Sequence, residues 1–214
     1  GFFTQPRTRT NANGVDLNRN LPTKDWAALA HRQWKWSYQK NPRYNPGKSA
    51  GSEKENQFLV SLILKYKPDK MLTIINKNFE PETPLGMDKS RHLKMLIDDI
   101  SEPRDGFILP EKHHAQKLLD FTDDWDKTKP ILIHCHMGIS RSTATSLGVA
   151  GKYAPENIEL IVENLKEIAP HASPNKIMMK YYDEILDLNN RLYGSVHYFN
   201  PEPIEESRIV ELNF

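Results

Sequence analysis

The run Pro130-Ile131-Leu132-Ile133 constrains this chain more than any other feature. It is a short apolar segment opened by proline, followed by a turn of small and polar residues and a Ser/Thr/Ala-rich stretch from about Arg141. Such a run reads as a buried strand and the stretch after it as a helix. Strand, tight loop and helix in succession commit a chain to a sheet covered by helices on both faces. The flanking sequence repeats the theme. Met71-Leu72-Thr73-Ile74-Ile75 reads as a second buried strand, and a third is expected over 93–97.

Amphipathic stretches lie between and after the strands. Ser52-Glu53-Lys54-Glu55 has the form of a capping box, and the helix behind it places Phe58, Leu59, Leu62, Ile63 and Tyr66 on one face until Pro68 ends it. Pro110 can open another helix, with Leu118, Leu119 and Trp125 facing inward. Two more helices are expected over 156–168 and 174–192. The last has Ser173 as its cap and Ile177, Met178, Tyr181, Ile185, Leu188 and Leu192 as its stripe. The fold class read from this order is α/β, with a central, largely parallel sheet flanked by helices.

The 214 residues suffice for one full α/β domain or for a smaller domain plus an appendage. At 38% hydrophobic and 27% charged the composition is globular rather than disordered. No apolar run approaches the length of a transmembrane helix. Cys135 is the single cysteine, which rules out an intramolecular disulfide and a cysteine-based zinc ribbon. A lone thiol suits a reducing compartment, so a cytoplasmic location is expected. The chain opens at Gly1 without an initiator Met and is read as a fragment or a processed product, so the lack of a signal peptide carries little weight.

The net charge of +1 conceals a split. Residues 1–70 hold 13 Lys/Arg against 5 Asp/Glu, whereas residues 71–214 hold 16 against 23. The reversal suggests two segments of different origin. The basic residues of the first segment are scattered singly and form no run, which argues against a nucleic-acid-binding arm.

The chemistry is concentrated after the strand at 130–133, in His134-Cys135-His136-Met137-Gly138-Ile139-Ser140-Arg141-Ser142. A cysteine at the C-terminal end of a buried strand, in a loop that opens a helix, stands where open α/β sheets bind ligands. Backbone N–H groups between Cys135 and Arg141 can converge in a nest, and the helix N-terminus adds partial positive charge. That setting suits an anion and lowers the pKa of a thiol from its free value of about 8.5. Gly138 permits the tight backbone path. The planar fork of Arg141 can hold two oxygens of a tetrahedral oxyanion, and Ser142 can donate to the sulfur. Together these groups describe nucleophilic attack on a phosphate monoester through a cysteinyl-phosphate. A packed core thiol with Arg141 as a chance neighbour leaves His134, Gly138 and the Ser-Arg-Ser run without a reason. A metal site built from His134, Cys135 and His136, with His113 and His114, is disfavoured, because residues adjacent in one loop rarely point at one ion and no fourth ligand recurs at a suitable spacing.

At these residues the chain resembles the cysteine-dependent protein phosphatases, and within them the dual-specificity and related tyrosine phosphatases. Their phosphate loop reads His-Cys-x-x-Gly-x-x-Arg-Ser/Thr, which residues 134–142 match at every fixed position. The likeness runs from about 72 to 190 and includes Ala172-Ser173-Pro174-Asn175, similar to that family's Pro-Asn element. The resemblance implies Cys135 as nucleophile, Arg141 as phosphate clamp, Ser142 as helper and no cofactor or metal. It implies His136, Met137, Gly138, Ile139, Ser140 and Arg141 as the phosphate-binding loop, with His134 in support. It also implies a general-acid Asp some 30–40 residues upstream. Asp99 is favoured there, with Asp98 second and Asp105 third; Asp123, Asp124 and Asp126 read as the exposed end of a helix. No Lys occupies the variable loop positions, which points to a phosphorylated protein or a small phosphate monoester rather than a phosphoinositide.

Residues 9–22, Arg-Thr-Asn-Ala-Asn-Gly-Val-Asp-Leu-Asn-Arg-Asn-Leu-Pro, resemble an unrelated family, the zinc carboxypeptidases, and the likeness continues loosely to about 74. It maps an oxyanion-stabilising Arg onto Arg9 and a carboxylate-binding pair onto Asn18 and Arg19. The metal ligands are missing, because Ile75-Asn76 stand where a ligand His should close the strand. Without metal no water is activated. The organisation read from sequence is therefore an incomplete carboxypeptidase-like segment, 1–70, followed by a phosphatase domain, 71–214. Residues 1–50, deprived of the sheet they would pack on, are expected to be poorly ordered or loosely docked. Two other functions stay open: an inactive phosphate-binding module, and a fragment of a zinc carboxypeptidase.

Overall fold

A computed structural model describes residues 10–76, 83–84, 86–203 and 209–214. The chain divides into two compact units, one within 1–68 and 81–89 and the other within 69–80 and 90–214. No helix among the described residues is long and apolar enough to cross a membrane.

The second unit is α/β. Among the described residues its sheet has three parallel strands, β1 (Lys70–Ile75), β2 (His92–Leu96) and β3 (Ile131–His134), in the order β2-β1-β3. The central strand β1 is buried along its whole length, as its continuous apolar run requires. Its register sets Leu72 beside Leu93 and Ile133, and Thr73 beside Lys94 and His134. The entry to β1 is pinned by charge. Buried Lys70 pairs with Asp124 and lies over the Phe121 ring, while Arg91 reaches both Asp69 and Asp124.

Among the described residues, the α-helices of this unit are α3 (Lys112–Asp120), α4 (Arg141–Tyr153), α5 (Ile158–Ile168) and α6 (Lys176–Leu186). They bury Leu118, Leu147, Ile158, Ile161, Met178, Met179 and Tyr182 against Leu72, Ile74 and Ile97 of the sheet region. Gly148 lets α4 approach α6 closely, since a Cβ there would stand 2.6 Å from the Tyr182 ring. The Tyr182 hydroxyl, buried beside Thr145 Oγ1 at 3.0 Å, is satisfied within the core.

Several helix boundaries differ from the sequence reading. Asn175, not Ser173, caps α6, its side chain accepting from Met178 N–H. The helix stops at Leu186 because Asp187 turns left-handed, and Asp183 then gathers the chain, accepting from the N–H groups of Asn190, Leu192 and Tyr193. Pro110 precedes α3 rather than opening it, with Glu111 as the cap.

The first unit contains α1 (Arg32–Trp36) and α2 (Lys54–Tyr66), with short turns at Leu17–Arg19, Ala27–His31 and Pro42–Tyr44. The capping box at Ser52 does not form. Glu53 is the cap residue of α2, and the Ser52 hydroxyl is drawn instead to the Glu53 carboxylate and to Asn20. Of the expected apolar face, Phe58 and Leu59 are exposed. Within the first unit, the described part of residues 1–50 makes a dense set of polar contacts of its own. Asn20 is buried and its side chain bonds Pro46 O, Ser49 O, Ser52 Oγ and Glu53 N, while Asn11 and Asn13 both donate to Glu53. Polar side chains, rather than a sheet, supply the order there.

Candidate active site

The loop from Cys135 to Ser140 joins β3 to α4, so the sheet fixes where it starts and the helix fixes where it ends. Gly138 sits at φ +73°, a left-handed conformation that favours glycine, with open space around its Cα. His136 and Met137 are exposed, whereas Cys135, Arg141 and Ser142 are buried. The far side of the loop is held by Ser173 N–H on Ile139 O at 2.9 Å and Asn175 N–H on Ser140 O at 3.3 Å. Thr143 closes the turn by donating to Ile139 O and Ser140 O.

The Cys135 Sγ lies 3.2 Å from Ser142 Oγ. Burial pushes this thiol up. The Ser142 hydroxyl and the backbone N–H groups of Ser142, Gly138 and Met137 more than offset that, holding it below its ordinary value. A convergent set of donors on a sulfur at a helix N-terminus stabilises negative charge there.

Arg141 is almost wholly enclosed. Its Nη1 donates to Ile97 O at 2.8 Å and to Asn76 Oδ1 at 3.3 Å, while its Nε is buried without a hydrogen-bond partner among the described residues. An unpaired buried donor on a guanidinium is costly, by about 1–3 kcal/mol or more, unless an acceptor completes it. An oxyanion at the loop is such an acceptor.

The two aspartates of the upstream loop have different surroundings. Asp98 is buried, accepting from Ile108 N–H at 2.7 Å and from the Asn76 amide, which ties the loop to itself. Asp99 is exposed and meets the loop between β3 and α4: its Oδ1 accepts from Ser140 Oγ at 2.6 Å and from Asn175 Nδ2 at 3.0 Å. Asp105 is exposed. A cavity of about 580 Å³ opens alongside, with Asp99, Ile139, Ser140, Asn175, Lys176 and His197 in its wall.

His134, at the end of β3, points its Nδ1 at Cys135 O at 3.3 Å and its Nε2 at Thr73 Oγ1 at 2.6 Å. Its burial lowers its pKa. Among the described residues no group of three His, Cys, Asp or Glu side chains could hold a metal ion.

Of the three residues singled out by the expected carboxypeptidase resemblance, which no comparison supports, Arg19 lies in the first unit. Arg9 and the side chain of Asn18 fall outside the described residues. Arg19 lies over the stacked rings of Tyr38 and Tyr44, at 5.0 and 5.2 Å, with its Nε 3.3 Å from Asp16.

Sequence reasoning assigned no role to Asn76, Thr73 or His92. Asn76 joins Arg141 to Asp98, and its signal was its place directly after a buried strand. Thr73 was visible as a hydroxyl in an apolar run.

No family model matches the chain. Over 135 residues it is 31% identical to the dual specificity protein phosphatase YVH1 of Plasmodium falciparum (isolate 3D7), covering 58% of this chain and 22% of that protein. The chain thus spans well under half the length of this relative. Among solved structures, DUSP15 is similar at 18% identity and a TM-score of 0.46, covering 71% of this chain and 91% of that one. The Yvh1 phosphatase domain from Chaetomium thermophilum is similar at 20% identity and a TM-score of 0.45, covering 61% and 84%.

Proposed function

We propose that this chain hydrolyses phosphate monoesters, with a phosphorylated protein as substrate and tyrosine or dual specificity, through a cysteinyl-phosphate on Cys135. One observation carries the reading. A thiol held below its ordinary pKa by convergent donors is followed, at the start of the next helix, by an arginine whose buried Nε lacks a partner among the described residues. The partial similarity to a dual specificity protein phosphatase supports it.

In the first step the Cys135 thiolate forms a bond to phosphorus as the ester P–O bond breaks, and the leaving oxygen takes a proton from the Asp99 carboxyl. The loop N–H groups and Arg141 hold the equatorial oxygens. In the second step water gives a proton to Asp99 and attacks phosphorus. The S–P bond breaks, and Ser142 Oγ–H donates to the departing thiolate. Asp99 is assigned the acid role over Asp98 because it is exposed beside Ser140, whereas both Asp98 oxygens are engaged by Ile108 and Asn76. The absence of Lys at 136, 137, 139 and 140 favours a singly phosphorylated group.

The test is hydrolysis of an aryl phosphate by the purified chain and by Cys135→Ser, with chelator throughout. The expected result is turnover by the parent that falls at least about a thousandfold in the variant. Phosphate binding without turnover by the parent would instead leave the loop a recognition site.

A further inference from the structure

Thr73 lies in β1 with no solvent exposure, a hydroxyl among apolar neighbours. A buried hydroxyl must find partners or destabilise the fold. Its Oγ1 stands 2.8 Å from His92 Nε2 and 2.6 Å from His134 Nε2, and His134 Nδ1 stands 3.3 Å from the carbonyl oxygen of Cys135. A carbonyl oxygen only accepts, so His134 Nδ1 carries hydrogen and the Nε2 of the neutral ring is bare. The Thr73 hydroxyl therefore donates to His134 Nε2, and its oxygen accepts from His92 Nε2–H. The bonds then run in one direction, from His92 through Thr73 and His134 to the Cys135 carbonyl. His92 is buried and His134 half-buried, and desolvation favours the neutral ring in both, which keeps this order: burial, aided by Lys94 and His134, brings His92 to about 4, and desolvation lowers His134.

We propose that Thr73 and His92 are positioning residues for the nucleophile, fixing through His134 the peptide group from which the phosphate loop departs. Neither residue reaches the reacting atoms. Tying down the Cys135 carbonyl keeps the N–H groups of Met137, Gly138 and Ser142 directed at the sulfur. A loop free to rotate at that peptide loses their alignment, and the thiolate loses its stabilisation. The inference rests on the reading of Cys135 as the nucleophile.

The test is the pH profile of iodoacetamide alkylation in the full chain, where Cys135 is the single cysteine and every event reports one site. Thr73→Val keeps the shape and removes the hydroxyl. Its thiolate midpoint is expected to rise by about one pH unit, a tenfold loss of thiolate below both midpoints. Thr73→Ser, which restores the hydroxyl, is expected to match the parent. His92→Phe is expected to raise the midpoint by about half a unit, and His92→Gln, whose amide keeps an N–H for Thr73, to restore it. Should Thr73→Val fail to fold, the Phe and Gln pair at position 92 decides the matter. Unchanged midpoints in folded Thr73→Val and His92→Phe would overturn the proposal while leaving parent turnover of aryl phosphate intact. An ordinary thiol midpoint in the parent would bring down the nucleophile reading itself, and this inference with it.

Discussion

The two compact units are built on opposite chemistry. The second buries a contiguous apolar cluster that runs from Leu72 and Ile74 through Leu147 to Met179 and Tyr182. In the first, the buried apolar side chains among the described residues are Val15 and Pro46, and its other buried side chains include Asp16, Asn20, Glu53 and Asn56. Apolar burial is non-directional and scales with area, so it tolerates small displacements. A hydrogen-bonded hub depends on geometry and can be undone at one atom. The candidate active site stands where the second unit departs from its own rule: Thr73 within β1, His92 at the start of β2, His134 at the end of β3, Arg141 and Asp98 set directional polar bonds among apolar strands. Apolar packing fixes the strands, and directional bonds aim the groups mounted on them.

The largest effect is expected from Leu147→Ala. Leu147 is fully buried in α4, the helix that follows the Cys135–Ser140 loop, and truncation there costs about 2–5 kcal/mol. Thermal or denaturant unfolding should show the loss in one cooperative transition, with thiolate alkylation of Cys135 slowing over the same transition. Separate transitions for α4 and for the loop would break the view that the apolar core carries the site.

The apolar half of this design was legible in the sequence, because period and composition report burial directly. The runs at 71–75 and 131–133 became β1 and β3, and the Ser/Thr/Ala-rich stretch after Ser140 became α4. The polar half was less so. Ser52 looks like a cap when only its neighbours are considered, but Asn20, thirty-two residues away, competes for its hydroxyl. His92 and Thr73 are nineteen residues apart and meet only because β1 pairs with β2 in parallel. Asp183 gathers three N–H groups from a turn whose path follows a left-handed Asp187. Such partners are set by register and loop path, which no local pattern encodes. Asn76, Thr73 and His92 escaped the sequence reading for that reason, whereas the loop from 134 to 142 is contiguous.

Acid should separate the two units. His92 is held to about 4 by burial first, then by Lys94 and His134, and its ordinary value is about 6.5. Between those values the unfolded chain binds a proton that the folded chain refuses, so stability rises with pH and falls as pH drops from about 6.5 to 4. The full loss is on the order of 3 kcal/mol. Glu53 moves the other way in charge but in the same sense in stability. Hydrogen bonds from Asn11, Asn13 and Ser52 lower its pKa, so its contribution is present above the ordinary glutamate value and is lost as pH falls below it. The second unit is thus expected to weaken from pH 6.5 downward and the first only below about 4.5. Unfolding free energies measured from pH 8 to 4, with His92→Gln as control, check this. A variant with the parent's full pH slope would assign the loss to other groups.

The smallest effect tests the hub. Asn20 Nδ2 donates to Pro46 O at 2.7 Å and to Ser49 O and Ser52 Oγ at 3.0 Å, while Oδ1 accepts from Glu53 N at 3.1 Å. Asn20→Ala leaves these groups to find water or stay unpaired, at about 1–3 kcal/mol. Asn20→Asp keeps the acceptor for Glu53 N–H but sets a carboxylate against the carbonyls of Pro46 and Ser49, so it should be the worse variant despite its closer shape. Hydrogen exchange followed by mass spectrometry should show lost protection confined to residues 10–68, with aryl phosphate turnover within about twofold of the parent. If Asn20→Ala instead removes protection from α4 and α6, the two chemistries are not separable, and the unit built on polar bonds is part of what holds the site.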